Sequence, residues 1–332
     1  MAPEAVLEVE NLTVEYPATD GGWRPVLSGV SLAVGRGARL GLVGESGSGK
    51  SVLALAALGL VAAPGRVAGG RVLIRGVDLA QAPPVELRRL RGGAAGLVFQ
   101  EPASAFNPVF TIGFQIAEAV RAHRAVNRSD AAAIARGLLE TAAVERPGEV
   151  AGSYPHQLSG GQLQRAMIAL ALAGGPELLV ADEPTSALDL ETQARILELL
   201  RRLTDEGRSL LLISHDLAVV AGLVERVAVL FAGEVVESAP TGALFARPLH
   251  PYTRWLLAAA DRDQPGAAAA GTAGEAPGTA GCRFASRCAI AQPDCRRQPP
   301  PLEILAGGRS LRCPVVGDGE KADAAARSAS DG

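Results

Sequence analysis

Residues 44–51 read GESGSGKS and lie between an apolar strand-like run, RLGLVG (39–44), and a longer apolar run that starts at Ser51. The segment fits the pattern G-x-x-x-x-G-K-[ST], whose glycines let successive backbone N–H groups turn inward around phosphate oxygens. The N-terminus of a following helix adds partial positive charge. Lys50 is one of only two lysines among 32 basic residues. Because a compact ammonium can follow phosphates where a planar guanidinium is too bulky, the segment predicts a nucleotide-binding loop.

The composition and the terminal sequence argue against a nucleic-acid-binding, a secreted and a membrane-spanning protein. The chain has 332 residues, a net charge of -3 and 48% hydrophobic residues, without the concentrated basic face expected of a nucleic-acid-binding protein. The first ten residues, MAPEAVLEVE, lack the basic and apolar regions of a secretion signal. The apolar run VLALAALGLVAAP (52–64) is too short to span a bilayer. We therefore expect a cytoplasmic chain that reaches a membrane only through a partner.

Two acids end the run ELLVADE (177–183), which is typical of a strand buried on both faces of a parallel sheet. A phosphate loop should lie beside the carboxyl end of such a strand. An Asp there can hold Mg²⁺, and the adjacent Glu can orient an attacking water. We therefore interpret Asp182 as a Mg²⁺ ligand together with the Ser51 hydroxyl, and Glu183 as a catalytic residue.

The segment LSGGQLQRAMIALALA (158–173) predicts a second phosphate-binding helix end. Ser159 has the chemistry of an N-cap and precedes an amphipathic helix. One γ-phosphate does not need two separate helix N-termini from a single chain. The arrangement makes sense if this helix end serves a nucleotide that is held on another subunit.

Together these motifs resemble those of the ATP-binding-cassette ATPases, and the match covers about residues 6–260. The resemblance implies an α/β P-loop NTPase with a RecA-like core sheet, an antiparallel β subdomain and an inserted α-helical signature subdomain at about 101–174, in agreement with the strand–helix alternation of the sequence. It also implies ATP and Mg²⁺ as ligands. By the resemblance Tyr16 stacks on adenine, His215 contacts the γ-phosphate, and Gln100 links the Mg²⁺ site to the helical subdomain. The other implied nucleotide-binding residues are Gly44, Glu45, Ser46, Gly47, Ser48, Gly49, Lys50, Ser51 and Val52 on one side, and Ser159, Gly160, Gly161, Gln162 and Asp189 facing the partner's nucleotide.

Three further stretches are similar to the importers of oligopeptides, dipeptides and nickel. These are FQEPASAFNPVFTIGFQIAEAV (99–120), RPLHPYTRWLLAAA (247–260) and GCRFASRCAIAQPDC (281–295). The GESGSGKSV string favours the first of the two paired ATPases in such systems. The resemblance implies a peptide importer with a homologous ATPase or a second copy as partner, two membrane permeases, an extracytoplasmic solute-binding protein, and a location on the cytoplasmic face of the membrane. A nickel importer is the alternative.

The C-terminal part divides at a Gly/Ala/Pro-rich stretch. We expect a nucleotide-binding domain at 1–260, a flexible linker at 261–281, a Cys-containing extension at 282–316 and a disordered tail at 317–332. The cysteines Cys282, Cys288, Cys295 and Cys313 have no CxxC pair, which disfavours a zinc ribbon. Four thiolates can ligate an iron–sulfur cluster, and the family's extension is associated with a [4Fe–4S] centre. Zinc and four unliganded thiols remain the alternatives.

A soluble cassette protein and a GTPase are two alternatives to the transporter. A soluble cassette protein of DNA repair or translation would carry two cassettes in one chain or a long coiled-coil insertion, and neither is visible in the sequence. A GTPase would carry the base-reading motif Asn-Lys-x-Asp, and the string NRSD (127–130) lacks its lysine.

Overall fold

The computed structural model describes residues 4–186, 188–260 and 280–316. Almost all of the predicted linker (261–279) and the whole predicted tail (317–332) lie outside the described residues. The strands in the described part are β1 (Ala5–Pro17), β2 (Trp23–Gly35), β3 (Arg39–Val43), β4 (Arg66–Ile74), β5 (Val77–Asp78), β6 (Ala95–Val98), β7 (Leu178–Asp182), β8 (Ser209–Ile213), β9 (Arg226–Phe231), β10 (Glu234–Pro240), β11 (Glu303–Leu305) and β12 (Arg309–Leu311). The α-helices there are α1 (Lys50–Ala56), α2 (Pro84–Gly93), α3 (Ile112–His123), α4 (Arg128–Thr141), α5 (Pro147–Gly152), α6 (Gly160–Ala171), α7 (Leu190–Asp205), α8 (Leu217–Leu223), α9 (Thr241–Ala246) and α10 (Pro251–Ala260).

The strands form two sheets. An antiparallel sheet has the order β2-β1-β4-β5, and the larger sheet has the order β11-β12-β10-β9-β3-β8-β7-β6. Within the larger sheet, β9, β3, β8, β7 and β6 run parallel. This arrangement confirms the predicted α/β fold with a separate antiparallel β subdomain.

The central strands are buried on both faces, as the continuous apolar run of β7 predicts. Leu179 and Ala181 belong to one hydrophobic core, which includes α3, α4, α6 and α7. Leu178 and Val180 belong to a second core, which includes β1, β2 and α1. Because alternate residues of a strand point to opposite faces, the sheet separates the two cores. Strands covered in this way need apolar residues at every position.

The predicted helical insertion is formed by α3 to α6. Thr111 and Asn127 cap α3 and α4, because their side-chain oxygens accept hydrogen bonds from the N–H groups of Phe114 and Asp130. Both helices bury one apolar stripe, which includes Ile116 in α3. The insertion thus joins the core on one face of the sheet. No helix among the described residues combines the length and apolar character needed to cross a membrane.

The Cys-containing extension continues the larger sheet. β12 pairs with β10, and β11 pairs with β12. The junction holds a fully buried ion pair, in which Arg309 (1% exposed) donates to Glu237 (0% exposed) at 2.7 Å. The Glu237 carboxylate also accepts hydrogen bonds from the backbone N–H groups of Leu249 and His250. The sequence predicts an extension at 282–316 that is separated from the nucleotide-binding domain by a linker, and in the structure these contacts join the extension to the larger sheet.

Replacing Arg309 with Met is expected to lower the free energy of unfolding by about 3–5 kcal/mol, because it leaves the Glu237 carboxylate buried without a partner. The matched control in the same extension is Arg297→Met, since Arg297 pairs with Asp294 on the open surface. That change should stay within about 0.5 kcal/mol. Denaturant unfolding of both variants measures the difference, and equal effects would show that the buried pair does not hold the extension to the sheet.

Candidate functional site

The parallel strands bring the predicted catalytic segments to one edge of the sheet. In the register of the sheet Leu42 lies beside Ile213, Asp182 beside Ile213, and Val98 beside Ala181. The loops that follow β3, β8, β7 and β6 therefore leave the sheet at the same edge. Clefts of doubly wound α/β proteins form at this carboxyl edge.

A cleft of about 420 Å³ opens at that edge. It contains residues from the phosphate loop and from the ends of three other strands. Its lining is formed by Val26, Ser46, Gly47, Gly49, Lys50, Ser51, Val52, Gln100, Glu183 and His215. The fold thus brings the predicted phosphate loop together with Gln100, Glu183 and His215.

The phosphate loop is held tightly against the sheet. A Cβ atom at Gly44 would come within 2.1 Å of the Leu230 carbonyl oxygen, so only glycine fits there. Lys50 is 6% exposed, and its ammonium donates to the carbonyl oxygens of Gly44 (2.8 Å) and Glu45 (2.9 Å). Burial lowers the pKa of Lys50, while the nearby carboxylates of Glu183, Asp182 and Glu45 act in the opposite direction. The ammonium is therefore a desolvated positive charge at the base of the loop.

Asp182 and Glu183 occupy the end of β7 with different surroundings. Burial raises the pKa of Asp182, and a hydrogen bond with Ser51 partly offsets this rise. One Asp182 oxygen, Oδ1, is buried without a hydrogen-bond partner, which is the environment that a bound cation would complete. Ser51, Asp182 and Gln100 thus offer oxygen donors of the kind that Mg²⁺ prefers.

Glu183 and His215 form a pair at the mouth of the cleft. The Glu183 side chain is 15% exposed, and its Oε2 lies 3.0 Å from Nδ1 of His215. Glu183 has a φ of 47°, an unusual left-handed conformation for a residue other than glycine. Strained backbone of this kind concentrates at functional sites. A carboxylate and an imidazole in contact can bind and orient a water molecule.

Tyr16 does not line this cleft. Its ring packs against the backbone of Gly65, where a side chain would have no space. Tyr16 lies on β1 and pairs with Arg24 of β2, while Val26, two residues further along β2, does line the cleft. Adenine stacking by Tyr16 therefore stays a prediction.

Three of the residues predicted to face a partner's nucleotide, Ser159, Gly161 and Gln162, line a different groove of about 350 Å³. Ser159 caps α6 in a capping box, in which its Oγ accepts from the N–H of Gln162 and its own N–H donates to the Gln162 side chain. A Cβ atom at Gly161 would come within 2.7 Å of the Thr192 methyl group, so glycine permits the close packing of α6 and α7. The groove is lined by Glu145, Ser159, Gly161, Gln162, Arg165, Thr192 and Arg195. A single chain therefore does not bring the Ser159 groove and the Lys50 cleft together.

Asp189 has a clear structural role. It caps α7 by accepting hydrogen bonds from the N–H and the hydroxyl of Thr192, at 2.9 and 2.8 Å. The backbone hydrogen bond from Thr192 is the main reason that the pKa of Asp189 is lowered. The predicted contact between Asp189 and the partner's site remains a prediction.

The four cysteines do not form a metal site in this structure. Cys282 and Cys295 are joined through their backbones, since the N–H of Cys282 donates to the Cys295 carbonyl at 2.7 Å. Burial raises the pKa of Cys282 to about 11, and the charges of Cys313, Cys295 and Cys288 add to the rise. Among residues 4–186, 188–260 and 280–316, no group of three or more His, Cys, Asp or Glu side chains could hold a metal ion. The predicted [4Fe–4S] cluster, and zinc as its alternative, are therefore not supported.

Two residues that contact the phosphate loop, Tyr252 and Arg287, are not predicted as site residues from the sequence. The Tyr252 hydroxyl accepts the N–H of Glu45 at 2.9 Å, and Arg287 forms an ion pair with the Glu45 carboxylate. Burial raises the pKa of Tyr252, so the phenol stays neutral. The only sequence signal is their position in the strings PYTRW and ASRC, which no spacing rule connects to residues 44–51.

Comparison with known proteins identifies the family. A family model described as ABC transporter matches residues 27–186, and a model described as the oligopeptide/dipeptide transporter C-terminal region matches residues 236–295. A putative peptide import ATP-binding protein of Brucella abortus is 45% identical over 93% of this chain and 94% of its own length. The dipeptide transport ATP-binding protein DppD of Escherichia coli is 41% identical over 93% of this chain and 96% of its own.

Solved structures agree with this similarity. The dimeric post-hydrolysis structure of the ATP-binding cassette MJ0796 with ADP and Pi is 29% identical, with a TM-score of 0.63 over 71% of this chain and 98% of that one. The cbiO1 structure from Clostridium perfringens is 25% identical, with a TM-score of 0.62 over 74% of this chain and 92% of that one. The chain therefore belongs to the ABC transporter family of ATPases, in the branch that carries the oligopeptide/dipeptide transporter C-terminal region.

Proposed function

We propose that this chain is the ATP-hydrolysing subunit of an ABC importer that takes up dipeptides and oligopeptides. The observation that carries the proposal is the division of the ATP site. One cleft holds the Lys50 loop with Glu183 and His215, and a separate groove holds Ser159 and Gly161. Two separate half-sites of this kind are expected if a second cassette completes each ATP site.

The Lys50 cleft binds the phosphates of ATP. The N–H groups of residues 44–51 and the start of α1 cradle the phosphate oxygens, and the ammonium of Lys50 neutralises their charge. In the structure that ammonium rests on two carbonyl oxygens, Gly44 O and Glu45 O. A charged phosphate is a stronger partner for it than a neutral carbonyl.

Ser51, Asp182 and Gln100 would hold Mg²⁺, because they place a hydroxyl, a buried carboxylate with an unpartnered oxygen, and an amide near the phosphate loop. When bound, Mg²⁺ supplies charge neutralisation for the transferred phosphoryl group. Asp182 contributes the fixed negative charge that balances the ion.

Glu183 orients the water that attacks the γ-phosphorus. Its carboxylate accepts a hydrogen bond from the water and takes up the water's proton as the new P–O bond forms and the bond to the β–γ bridging oxygen breaks. The products are ADP and inorganic phosphate. His215, in contact with Glu183 Oε2, fixes the direction of that carboxylate and faces the γ-phosphate.

The second half of the site comes from a partner cassette, either a homologous ATPase or a second copy of this chain. The capped N-terminus of α6, with Ser159, Gly160, Gly161 and Gln162, closes over the partner's ATP, and Asp189 lies at the same junction. Hydrolysis removes the phosphate that both cassettes hold. The pair then reopens, and the helical insertion transmits the motion to two membrane permeases.

The assignment of peptides as the transported substrate follows the relatives, whose names describe peptide import and dipeptide transport. The match of residues 236–295 to the oligopeptide/dipeptide transporter C-terminal region adds support. No observation favours nickel. The chain then works on the cytoplasmic face of the membrane, and a solute-binding protein delivers peptides from the other side.

Uptake by cells tests this function. Cells that lose this chain are expected to lose accumulation of a radiolabelled dipeptide, and the unchanged chain should restore it. A Lys50→Ala chain should not restore it, and uptake of radiolabelled nickel should be the same in all strains. Loss of nickel uptake with normal dipeptide uptake would overturn the peptide assignment.

A further inference from the structure

The C-terminal extension reaches the phosphate loop through one arginine. Arg287 donates from Nη2 to Glu45 Oε1 at 2.9 Å and from Nη1 to Glu45 Oε2 at 3.1 Å. Two parallel hydrogen bonds between a guanidinium and a carboxylate are the strongest form of side-chain ion pair. Arg287 and Glu45 are 242 positions apart in sequence, so this contact joins the extension directly to the nucleotide loop.

Arg287 is pre-organised for this contact. Its guanidinium carbon lies 4.5 Å from the ring centre of Trp255, 5.4 Å from that of Phe284 and 5.6 Å from that of Phe231. Aromatic faces attract a guanidinium and restrict its rotamers. The hydrogen bond to Glu45 is the main reason that the pKa of Arg287 is raised, so its charge is permanent.

Glu45 is fixed at all of its polar groups. Its N–H donates to the Tyr252 hydroxyl at 2.9 Å, its carbonyl accepts from Lys50 at 2.9 Å, and its carboxylate accepts from Arg287. Two of these three partners, Tyr252 and Arg287, come from the C-terminal part of the chain. Any shift of Glu45 would also move the carbonyl oxygen to which Lys50 donates.

The charge of Glu45 also bears on nucleotide binding. Its carboxylate is close enough to the Lys50 ammonium to act on the pKa of that group. Near a site that binds several phosphate charges, an unpaired carboxylate would oppose binding. Arg287 neutralises that carboxylate and leaves the Lys50 charge free to act on the phosphates.

We propose that Arg287 is a positioning residue for nucleotide binding, through which the Cys-containing extension orients and neutralises Glu45 and so raises the affinity of the phosphate loop. The inference rests on the proposed ATP site. By linkage, an extension that favours nucleotide binding is itself stabilised when nucleotide binds. The extension is thus part of the nucleotide site and not an appendage to it.

Calorimetric titration of the full chain with ADP and Mg²⁺ tests the proposal, because ADP binding needs neither hydrolysis nor a partner cassette. Arg287→Gln is expected to raise the Kd for ADP roughly tenfold. The double variant Glu45→Gln/Arg287→Gln should bind ADP more tightly than Arg287→Gln alone, since it removes the uncompensated charge. Arg287→Lys keeps the positive charge but cannot form both hydrogen bonds to the Glu45 carboxylate. Its Kd for ADP should lie between those of the unchanged chain and Arg287→Gln.

Arg283→Gln is the matched control. Arg283 lies in the same extension, is 14% exposed against 17% for Arg287, and also pairs with a glutamate, Glu234. Its partners are Glu234 and Ser28, outside residues 44–51, so its Kd for ADP should match that of the unchanged chain.

Three results would overturn the inference. Arg287→Gln could bind ADP as tightly as the unchanged chain, or the double variant could bind as weakly as Arg287→Gln. Arg283→Gln could also lose as much affinity as Arg287→Gln, which would mean that general damage to the extension is the cause. A different result, an unchanged chain that binds no ADP, would overturn the proposed ATP site itself.

Discussion

Replacing Glu183 with Gln is expected to lower kcat for ATP hydrolysis by at least about 100-fold and to leave ATP affinity within about threefold. The carboxamide keeps the shape of the side chain, so the cleft and the phosphate loop remain intact. It cannot take up the proton of the attacking water, and it lowers the negative charge that orients that water. Phosphate release by the purified chain together with its partner cassette measures turnover, and equilibrium titration with ATP measures binding.

Glu177→Gln provides the matched control. Glu177 precedes the same strand, β7, at the opposite edge of the sheet, where it forms ion pairs with Arg36 and Arg75. These pairs are partly exposed, so the change should cost at most about 1 kcal/mol of stability, with turnover preserved. If Glu183→Gln hydrolyses ATP as fast as Glu177→Gln, Glu183 is not the catalytic carboxylate.

Replacing Lys50 with Arg is expected to lower the affinity for ATP strongly, although arginine keeps the positive charge. Lys50 is buried, and its ammonium fits between the carbonyl oxygens of Gly44 and Glu45. A guanidinium is wider and planar, so it would displace the loop or lose its contact with the phosphates. Loss of a hydrogen bond to a charged group and overpacking cost about 1–3 kcal/mol each. ATP affinity should therefore fall about 100-fold.

Equilibrium titration with ATP measures this change, and thermal unfolding without nucleotide provides its control. Lys50→Arg should unfold within a few degrees of the unchanged chain, because the change is confined to the loop. An arginine variant that binds ATP normally would show that charge alone, and not the shape of the ammonium, selects lysine at this position.

Local patterns in the sequence are sufficient to predict the sheet and its catalytic edge. The apolar run of β7 ends at Asp182, and the phosphate loop follows β3, so a parallel sheet must bring both to one edge. The resemblance to the ATP-binding-cassette family also implies that Gln100 and His215 belong there, and both line the cleft. The capped helix end at Ser159 is visible in the sequence, but the role proposed for it depends on a second chain.

The role of the C-terminal extension is not predictable from the same patterns. β11 and β12 are three residues each, too short for an alternating pattern to identify. Arg287 carries no spacing signal, and its contact with Glu45 arises from long-range packing. Tyr16 shows the opposite case, because the family pattern assigns it to adenine, whereas in the structure it pairs with Arg24 and packs against Gly65 outside the Lys50 cleft.

Purification of a tagged Glu183→Gln chain from its own cells, with and without ATP, tests whether the nucleotide is shared between two cassettes. With ATP, we expect the chain to retain one further cassette, a second copy or a homologue with its own phosphate loop and Ser-Gly-Gly segment. Without ATP, or with Ser159→Arg added, that cassette should be lost. A chain that binds ATP at full affinity yet retains no second cassette in any sample would contradict the shared site.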